Sequence, residues 1–169
     1  MNAKHLSILA ILTLVVIIAA VVLTQPKTTT TETTKFFPDL LSNLENVTEI
    51  KVTTKDDSVT LIRNAEGQWG LKEKHDYPIA MDKIRNLLLG AADLTILEPK
   101  TSNPDLYSKI GVEDISEEGA NSVLVAFQIA EGKTVGSVIV GNDRIAKVDS
   151  TRREIYVRKP DAKQTWLTL

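Results

Sequence analysis

Residues 48–63 read TEIKVTTKDDSVTLIR, and this stretch decides the fold. Ile50 and Val52 alternate with polar residues, a period of two that is typical of a strand with one buried face. The polar run Lys55–Ser58 predicts a turn, and a second alternating run follows over Val59–Arg63. The stretch therefore predicts a β-hairpin, which is the seed of an antiparallel sheet.

Further elements are predicted on both sides of this hairpin. Upstream, Pro38 and three leucines at helical spacing predict a short helix that ends near Leu44. Downstream, residues 64–67 predict a turn and residues 68–71, Gln-Trp-Gly-Leu, predict a third strand. A break in regular structure is expected at residues 76–78, Asp-Tyr-Pro.

The clearest amphipathic helix outside the N-terminal region is predicted over Lys83–Asp93, with Asp82 as its N-cap. A strand over Leu94–Leu97 is expected to follow it directly. Residues 103–104, Asn-Pro, predict the start of a two-turn helix that ends at Gly111. The apolar stripe of the longer helix is formed by Ile84, Leu87, Leu88, Ala91 and Ala92.

The final third of the chain has strand patterns only, and Gly141-Asn142-Asp143 predicts the end of one of them. The chain is therefore expected to be α+β, with a mainly antiparallel sheet and two or three helices packed on one face. The last strand has apolar residues on both faces, so we expect something further to cover it and interpret the chain as truncated at its C-terminus. The predicted strands are residues 122–129, 135–140, 154–158 and 164–169.

Residues 6–23 read LSILAILTLVVIIAAVVL and contain neither a charge nor a proline. About eighteen helical residues span roughly 27 Å, close to the hydrocarbon core of a bilayer. A cleaved signal peptide would have a shorter apolar run and a small-residue cleavage site, a lipoprotein would need a cysteine, and a buried core helix would have a polar face. We therefore predict a retained, single-pass transmembrane anchor and a cell-membrane location.

The flanks of this segment predict its orientation and the domain organisation. Lys4 and the α-amino group precede the apolar run, which favours a cytoplasmic tail over residues 1–5 and an extracytoplasmic position for the rest. Residues 24–35 are rich in threonine and predict a solvated tether. The extracytoplasmic α+β domain is expected to occupy residues 36–169.

The sequence offers little catalytic chemistry. A net charge of −2 gives no electrostatic footprint for nucleic acid, and the absence of cysteine excludes disulfides and thiolate sites. His5 and His75 are the only histidines, too few for a zinc cluster, and no glycine-rich nucleotide motif is present. We therefore predict a protein that is not an enzyme and has no cofactor or metal. A hydrolase is the remote alternative, and it would need Glu73 and Asp76 to converge.

Four residues are candidate contacts for a partner or a ligand. Trp69 and Trp166 are possible binding platforms, although a lone tryptophan in a short strand is more often part of the core. Arg152 and Arg153 belong to a basic stretch that could meet an anionic polymer, but acidic residues are interleaved with it. The acidic run over residues 113–118 is expected to be a solvated surface loop.

The order of these elements resembles the bacterial domain-of-unknown-function 4340 family. The shared features are the N-terminal anchor, a Phe-Pro-led helix, two alternating strands, a Gly-x-Trp-x-Leu strand, an Ile-x-x-Leu-Leu helix and a Leu-Tyr-x-x-x-Gly segment. After Gly111 the family often continues Leu-x-x-Pro, whereas here Val112-Glu113-Asp114-Ile115 follows, and the likeness is to the N-terminal part of longer members. The matching stretches are residues 37–38, 47–63, 68–71, 84–97, 106–112 and 135–141.

Members of this family are typically membrane-anchored extracytoplasmic proteins, often encoded beside ABC-type transporter components and auxiliary proteins of the gliding-motility type. The resemblance brings no catalytic residues. It implies a non-catalytic accessory component that binds envelope or ABC-type transporter proteins. The alternative is a module that binds a cell-envelope polymer or ligand, using the tryptophans and arginines named above.

Overall fold

The computed structural model describes residues 34–147 and 149–169. The strands are β1 (Val47–Thr53), β2 (Ser58–Arg63), β3 (Trp69–Leu71), β4 (Tyr77–Ile79), β5 (Ile96–Pro99), β6 (Val123–Ile129), β7 (Thr134–Ile145), β8 (Arg153–Arg158) and β9 (Thr165–Thr168). The helices in these residues are α1 (Leu40–Asn43), α2 (Met81–Asp93) and α3 (Tyr107–Ile110). The strands form one sheet in the order β4-β3-β2-β1-β6-β7-β8-β9-β5, paired antiparallel throughout. The predicted α+β class and the mainly antiparallel sheet are confirmed.

Helices α1 and α2 pack on one face of the sheet. Leu40 from α1 and Ile84 and Leu88 from α2 are buried in the main core, together with Ile50 and Phe127 of the central strands. The helical spacing of the apolar residues places them on one side of α2, as the sequence predicts. Leu87 is the exception among the predicted stripe residues, because 37% of it is exposed.

Helix α3 lies on the opposite face, so the prediction that the helices share one face is correct for two of the three. Tyr107 and Val112 are buried against Ile139 in a second, smaller core. Val138, the neighbour of Ile139 in β7, belongs to the main core instead. Because successive residues of a strand point to opposite faces, the central strands are apolar on both sides and supply both cores.

Strand β7 continues through Gly141 to Ile145, and the prediction that it ends at Gly141-Asn142-Asp143 is wrong. Its pairing with β8 shifts register between Val140 and Asp143, which marks an irregularity rather than an end. A Cβ atom on Gly141 would lie 2.4 Å from the carbonyl oxygen of Ile110. The glycine is therefore needed where the end of α3 approaches the strand, and not for a turn.

Edge strand β4 occupies the region that was expected to be a break. Gly70 of β3 pairs with Pro78, and a Cβ on Gly70 would lie 2.7 Å from the carbonyl oxygen of Asp76. Because Gly70 has no side chain, the loop between β3 and β4 can fold back onto the sheet. Asp82 is not the N-cap of α2, because the helix begins after Ala80. Asp82 instead lies in the first turn, where a carboxylate interacts favourably with the helix dipole.

The described chain starts beside the C-terminal end of α2. The amide of Ile96 donates to the carbonyl oxygen of Thr34, and the amide of Phe36 donates to that of Leu94, both at 2.8 Å. The predicted tail, the anchor over residues 6–23 and most of the predicted tether lie outside the described residues. Among the residues that are described, no helix is long and apolar enough to cross a membrane.

Candidate functional site

Exposed hydrophobic side chains concentrate on and around the two helices of the main core. Of the seven large hydrophobic residues that are exposed in the described part of the chain, four lie in α1 and α2, and a fifth lies on β4, directly before α2. Scattered exposed hydrophobic residues need no explanation, but a cluster indicates a contact surface. These five residues are Leu41, Met81, Leu87, Leu89 and Tyr77, and the other two are Leu97 and Ile145.

A first cleft of about 390 Å³, here called the Trp69 cleft, lies along one flank of α2. Its floor includes Val47, Trp69, Ile84 and Leu88, all of which are buried. Only 5% of Trp69 is exposed, so its ring contributes to the floor and is not an open platform. The remaining lining residues are Leu44, Glu45, Arg63, Met81, Arg85 and Leu89.

Two arginines border the Trp69 cleft, and they are held differently. The Nη1 atom of Arg63 donates to the carbonyl oxygen of Glu45 at 3.0 Å. The guanidinium passes close to Gly67, whose φ of +80° favours glycine at this turn. Arg85 is exposed, and no carboxylate of the described residues lies within ion-pair distance of it. Arg85 is therefore free to bind an acidic group from outside.

A second cleft of about 320 Å³, here called the apolar cleft, lies along the other flank of α2. Leu87, Gly90 and Ala91 form its helical wall, and nothing lies within 4 Å of the point where a Cβ of Gly90 would stand. No charged residue lines it, and Asn86 is its one polar side chain within the described residues. The end of α2, the sheet and the C-terminal residue supply the rest: Leu94, Val125, Phe127, Val138, Val140, Ile155 and Leu169.

The two tryptophans that the sequence singled out do not form one site. Trp69 is on β3 and Trp166 is on β9, with five strands between them in the sheet. At about 4.8 Å per strand, the two positions are roughly 29 Å apart. Trp166 is half-buried and packs against the main core. Both indoles therefore pack within or against the core.

The predicted basic stretch is largely neutralised by its own neighbours. Arg153 pairs with Asp143, and this contact lowers the pKa of Asp143 and raises that of Arg153. The Nε atom of Arg144 donates to Glu154 at 2.6 Å, and this hydrogen bond raises the pKa of Arg144. Arg152 is exposed, with no ion pair to any described residue. One unpaired guanidinium beside paired ones does not make an anion site.

Arg158, which the sequence places at the end of the same basic stretch, is buried in the second core. Its Nε atom donates to the carbonyl oxygen of Val112 at 3.0 Å, and Nη2 donates to Asp114 at 2.7 Å. Its guanidinium lies 4.7 Å from the ring centre of Tyr107. These contacts hold the segment after α3 against the sheet, so Arg158 is structural.

The sequence predicts that the acidic run over residues 113–118 is a solvated surface loop, but the run is only partly solvated. Glu113 is only 4% exposed, and its Oε1 atom accepts a hydrogen bond from the amide of Asn121 at 2.9 Å. Its Oε2 atom has no partner in the described part of the protein. Glu117 and Glu118 are exposed, as expected. Glu113 therefore holds the loop closed against β6 from inside.

Of the two carboxylates that a hydrolase would need, Glu73 is already engaged in the fold. Glu73 accepts a hydrogen bond from the backbone amide of Thr60 at 3.0 Å, and this bond lowers the pKa of Glu73. Strand β3 ends at Leu71, so the carboxylate satisfies a donor of β2 beyond the end of its partner strand. Asp76 lies in an exposed turn with a φ of 57°. Among the described residues, no group of three or more histidine or acidic side chains could hold a metal ion.

Comparison of this chain with protein-family models, with curated proteins and with solved structures finds no match. The architecture alone defines the class: an antiparallel α+β domain with one cleft on each flank of helix α2. The lining of one cleft is apolar, and that of the other is apolar with arginines at its border.

Proposed function

We propose that this chain is a non-catalytic, membrane-anchored accessory component of a transporter-associated envelope complex, whose extracytoplasmic domain binds a partner protein through α2. One observation carries the proposal: each flank of α2 has a cleft with an apolar floor. Leu89 is exposed at the border of the Trp69 cleft, and Leu87 is exposed at the border of the apolar cleft. Burial of apolar surface drives most protein association, and side chains that fill such clefts dominate its energy. The transporter context rests on the family resemblance.

The length of the predicted tether also supports a membrane partner. The predicted anchor ends at residue 23, and ten residues separate it from Thr34. Ten residues reach at most about 36 Å, and the chain then pairs beside the C-terminal end of α2. A short tether raises the effective concentration of the domain for proteins of the same membrane. We expect the extracytoplasmic segments of the partner permease to lie within this reach.

The test is site-specific photocrosslinking of the full chain in its native membrane. Benzoylphenylalanine is placed at Leu87, at Leu89, or at Ile145, an equally apolar position on β7 that borders neither cleft. We expect the two α2 positions to crosslink to an ABC-type permease subunit and Ile145 to give no such adduct. Adducts at Ile145 alone, or adducts at α2 only to proteins unrelated to transport, would overturn the proposal.

No observation favours the alternative of a polymer-binding module. Such a module needs aromatic rings that a sugar or peptide polymer can stack on. Trp69 is buried, Trp166 packs against the main core, and Arg153 is already paired with Asp143. The apolar borders of α2 are better suited to the side chains of a protein.

A further inference from the structure

The Trp69 cleft differs from the apolar cleft in its charge. Both have apolar floors, but the Trp69 cleft is lined by Arg63 and Arg85 against a single acid, Glu45. The apolar cleft has no charged lining residue among those described. A volume of about 390 Å³ is within the range of sites that bind small molecules or a few side chains. The Trp69 cleft is thus suited to a group that is apolar on one side and negative on the other.

The arginines are arranged to receive that negative group. Arg144, Arg153 and Arg158 each pair with a carboxylate, whereas Arg63 and Arg85 pair with none in the described part of the chain. Arg63 is held in place by the carbonyl oxygen of Glu45. A guanidinium can bind a carboxylate through two parallel hydrogen bonds, stronger than those between neutral groups. An incoming acid would therefore gain charge-assisted hydrogen bonds without displacing an existing ion pair.

A peptide fits this cleft better than a bilayer surface does. Helix α2 carries two acids, Asp82 and Asp93, against two bases, Lys83 and Arg85. The helix has no net charge, so it offers an anionic bilayer no net electrostatic attraction. Strand addition at the nearby edge is also disfavoured, because β4 has three residues and one of them is Pro78. The remaining mode is side-chain insertion.

We propose, building on the function above, that the Trp69 cleft receives a peptide segment of the partner that carries an apolar side chain next to an aspartate or glutamate. The apolar side chain packs on the floor formed by Trp69, Ile84 and Leu88. The acidic side chain pairs with Arg85, and Arg63 adds positive charge beside it. The apolar cleft contributes apolar contacts alone.

The test uses the full chain in lipid nanodiscs and a library of random nonapeptides displayed on phage, with empty nanodiscs as counter-selection. We expect the selected peptides to share an apolar residue adjacent to an acid. Synthetic peptides of the selected sequence should bind Arg85→Gln about tenfold to a hundredfold more weakly than they bind the natural protein. Replacing the acid of the peptide by its amide should weaken binding to the natural protein by the same factor. The two changes together should be no worse than either alone. Arg152→Gln, at an exposed and unpaired arginine outside the cleft, should leave binding unchanged.

Several outcomes would overturn this inference. One is a selection that yields peptides without acidic residues, and another is a peptide affinity that Arg85→Gln leaves unchanged. The third is measured in Trp166→Phe, where Trp69 is the remaining tryptophan: its fluorescence shifts with phosphatidylglycerol vesicles and not with peptides. Failure here is distinguishable from failure of the proposed function. If Leu89 still crosslinks to the permease while Arg85→Gln has no effect, the function stands and the cleft assignment falls. If the peptides bind but no permease is captured, the cleft assignment stands and the proposed function falls.

Discussion

Arg158 is a buried cation, and its removal should destabilise the second core. Its side chain is 4% exposed, and it donates to three carbonyl oxygens and to Asp114. Arg158→Met keeps a flexible apolar stem and removes every donor. The carbonyl oxygen of Val112, a fully buried residue, then loses this donor.

The magnitude follows from these contacts. A buried acceptor left without its donor costs about 1–3 kcal/mol, and loss of the stacked cation on Tyr107 adds up to about 2 kcal/mol. The Asp114 side chain is 52% exposed, so water solvates it once its partner is gone. The variant no longer buries a charged guanidinium, and the desolvation free energy that it saves offsets part of the loss. We expect a net loss of about 3 kcal/mol, or roughly 10 °C in Tm for a domain of this size.

The assay is urea unfolding of the full chain in detergent micelles, followed by tryptophan fluorescence. Arg158→Lys should give an intermediate loss, because an ammonium keeps the charge but cannot reach all four acceptors. Arg152→Met is the matched control at an exposed position and should stay within about 0.5 kcal/mol of the natural protein. Unchanged or increased stability of Arg158→Met would mean that desolvation of the arginine outweighs its hydrogen bonds, and the structural role assigned here would be wrong.

Four further substitutions test other parts of the fold by the same unfolding measurement. Gly141→Ala should lower the free energy of unfolding by at least about 2 kcal/mol, because the added Cβ would clash with the backbone of Ile110. Gly90→Ala lies in open space within α2 and should raise the free energy of unfolding by about 0.5–1 kcal/mol. Equal effects of the two substitutions would refute the packing role of Gly141. Glu73→Gln should be less stable than the natural protein near pH 7, and the difference should shrink as the pH falls through the lowered pKa of Glu73, because the stability that a lowered pKa adds is lost when the folded carboxylate protonates. A difference in stability that does not change with pH would contradict this. Asn103→Ala should cost about 1 kcal/mol by removing a side-chain cap, and no loss would show the cap to be idle.

Local patterns in the sequence predicted the elements whose formation depends on local chemistry. The hairpin of β1 and β2 follows from a period of two on each side of a polar turn, and helix α2 follows from apolar residues at helical spacing. The helix that ends at Gly111 also agrees, with Gly111 in the left-handed conformation. In each case the neighbouring residues along the chain carry the signal.

Residues whose role depends on distant contacts were predicted less well. Gly141 resembles a turn residue, but its small size is needed by the end of α3, which lies about thirty positions earlier in the chain. Arg158 belongs to a basic run, yet carbonyl oxygens from two separate segments surround it. The clefts could not be predicted either, because Trp69 and Arg85 come to line one cleft only when α2 packs on the sheet. No pattern in one segment contains that information.

Whether α2 is the partner-binding surface is tested most directly by affinity purification of the full chain from crosslinked native membranes. Three forms are compared: the natural protein, Leu87→Asp combined with Leu89→Asp, and Ile145→Asp as a control with a single aspartate placed on β7. We expect ABC-type permease subunits to be recovered with the natural protein and with Ile145→Asp, and to be lost from the α2 variant while its unfolding midpoint stays normal. Equal recovery from all three forms, or recovery of the chain alone in every case, would show that α2 is not that surface.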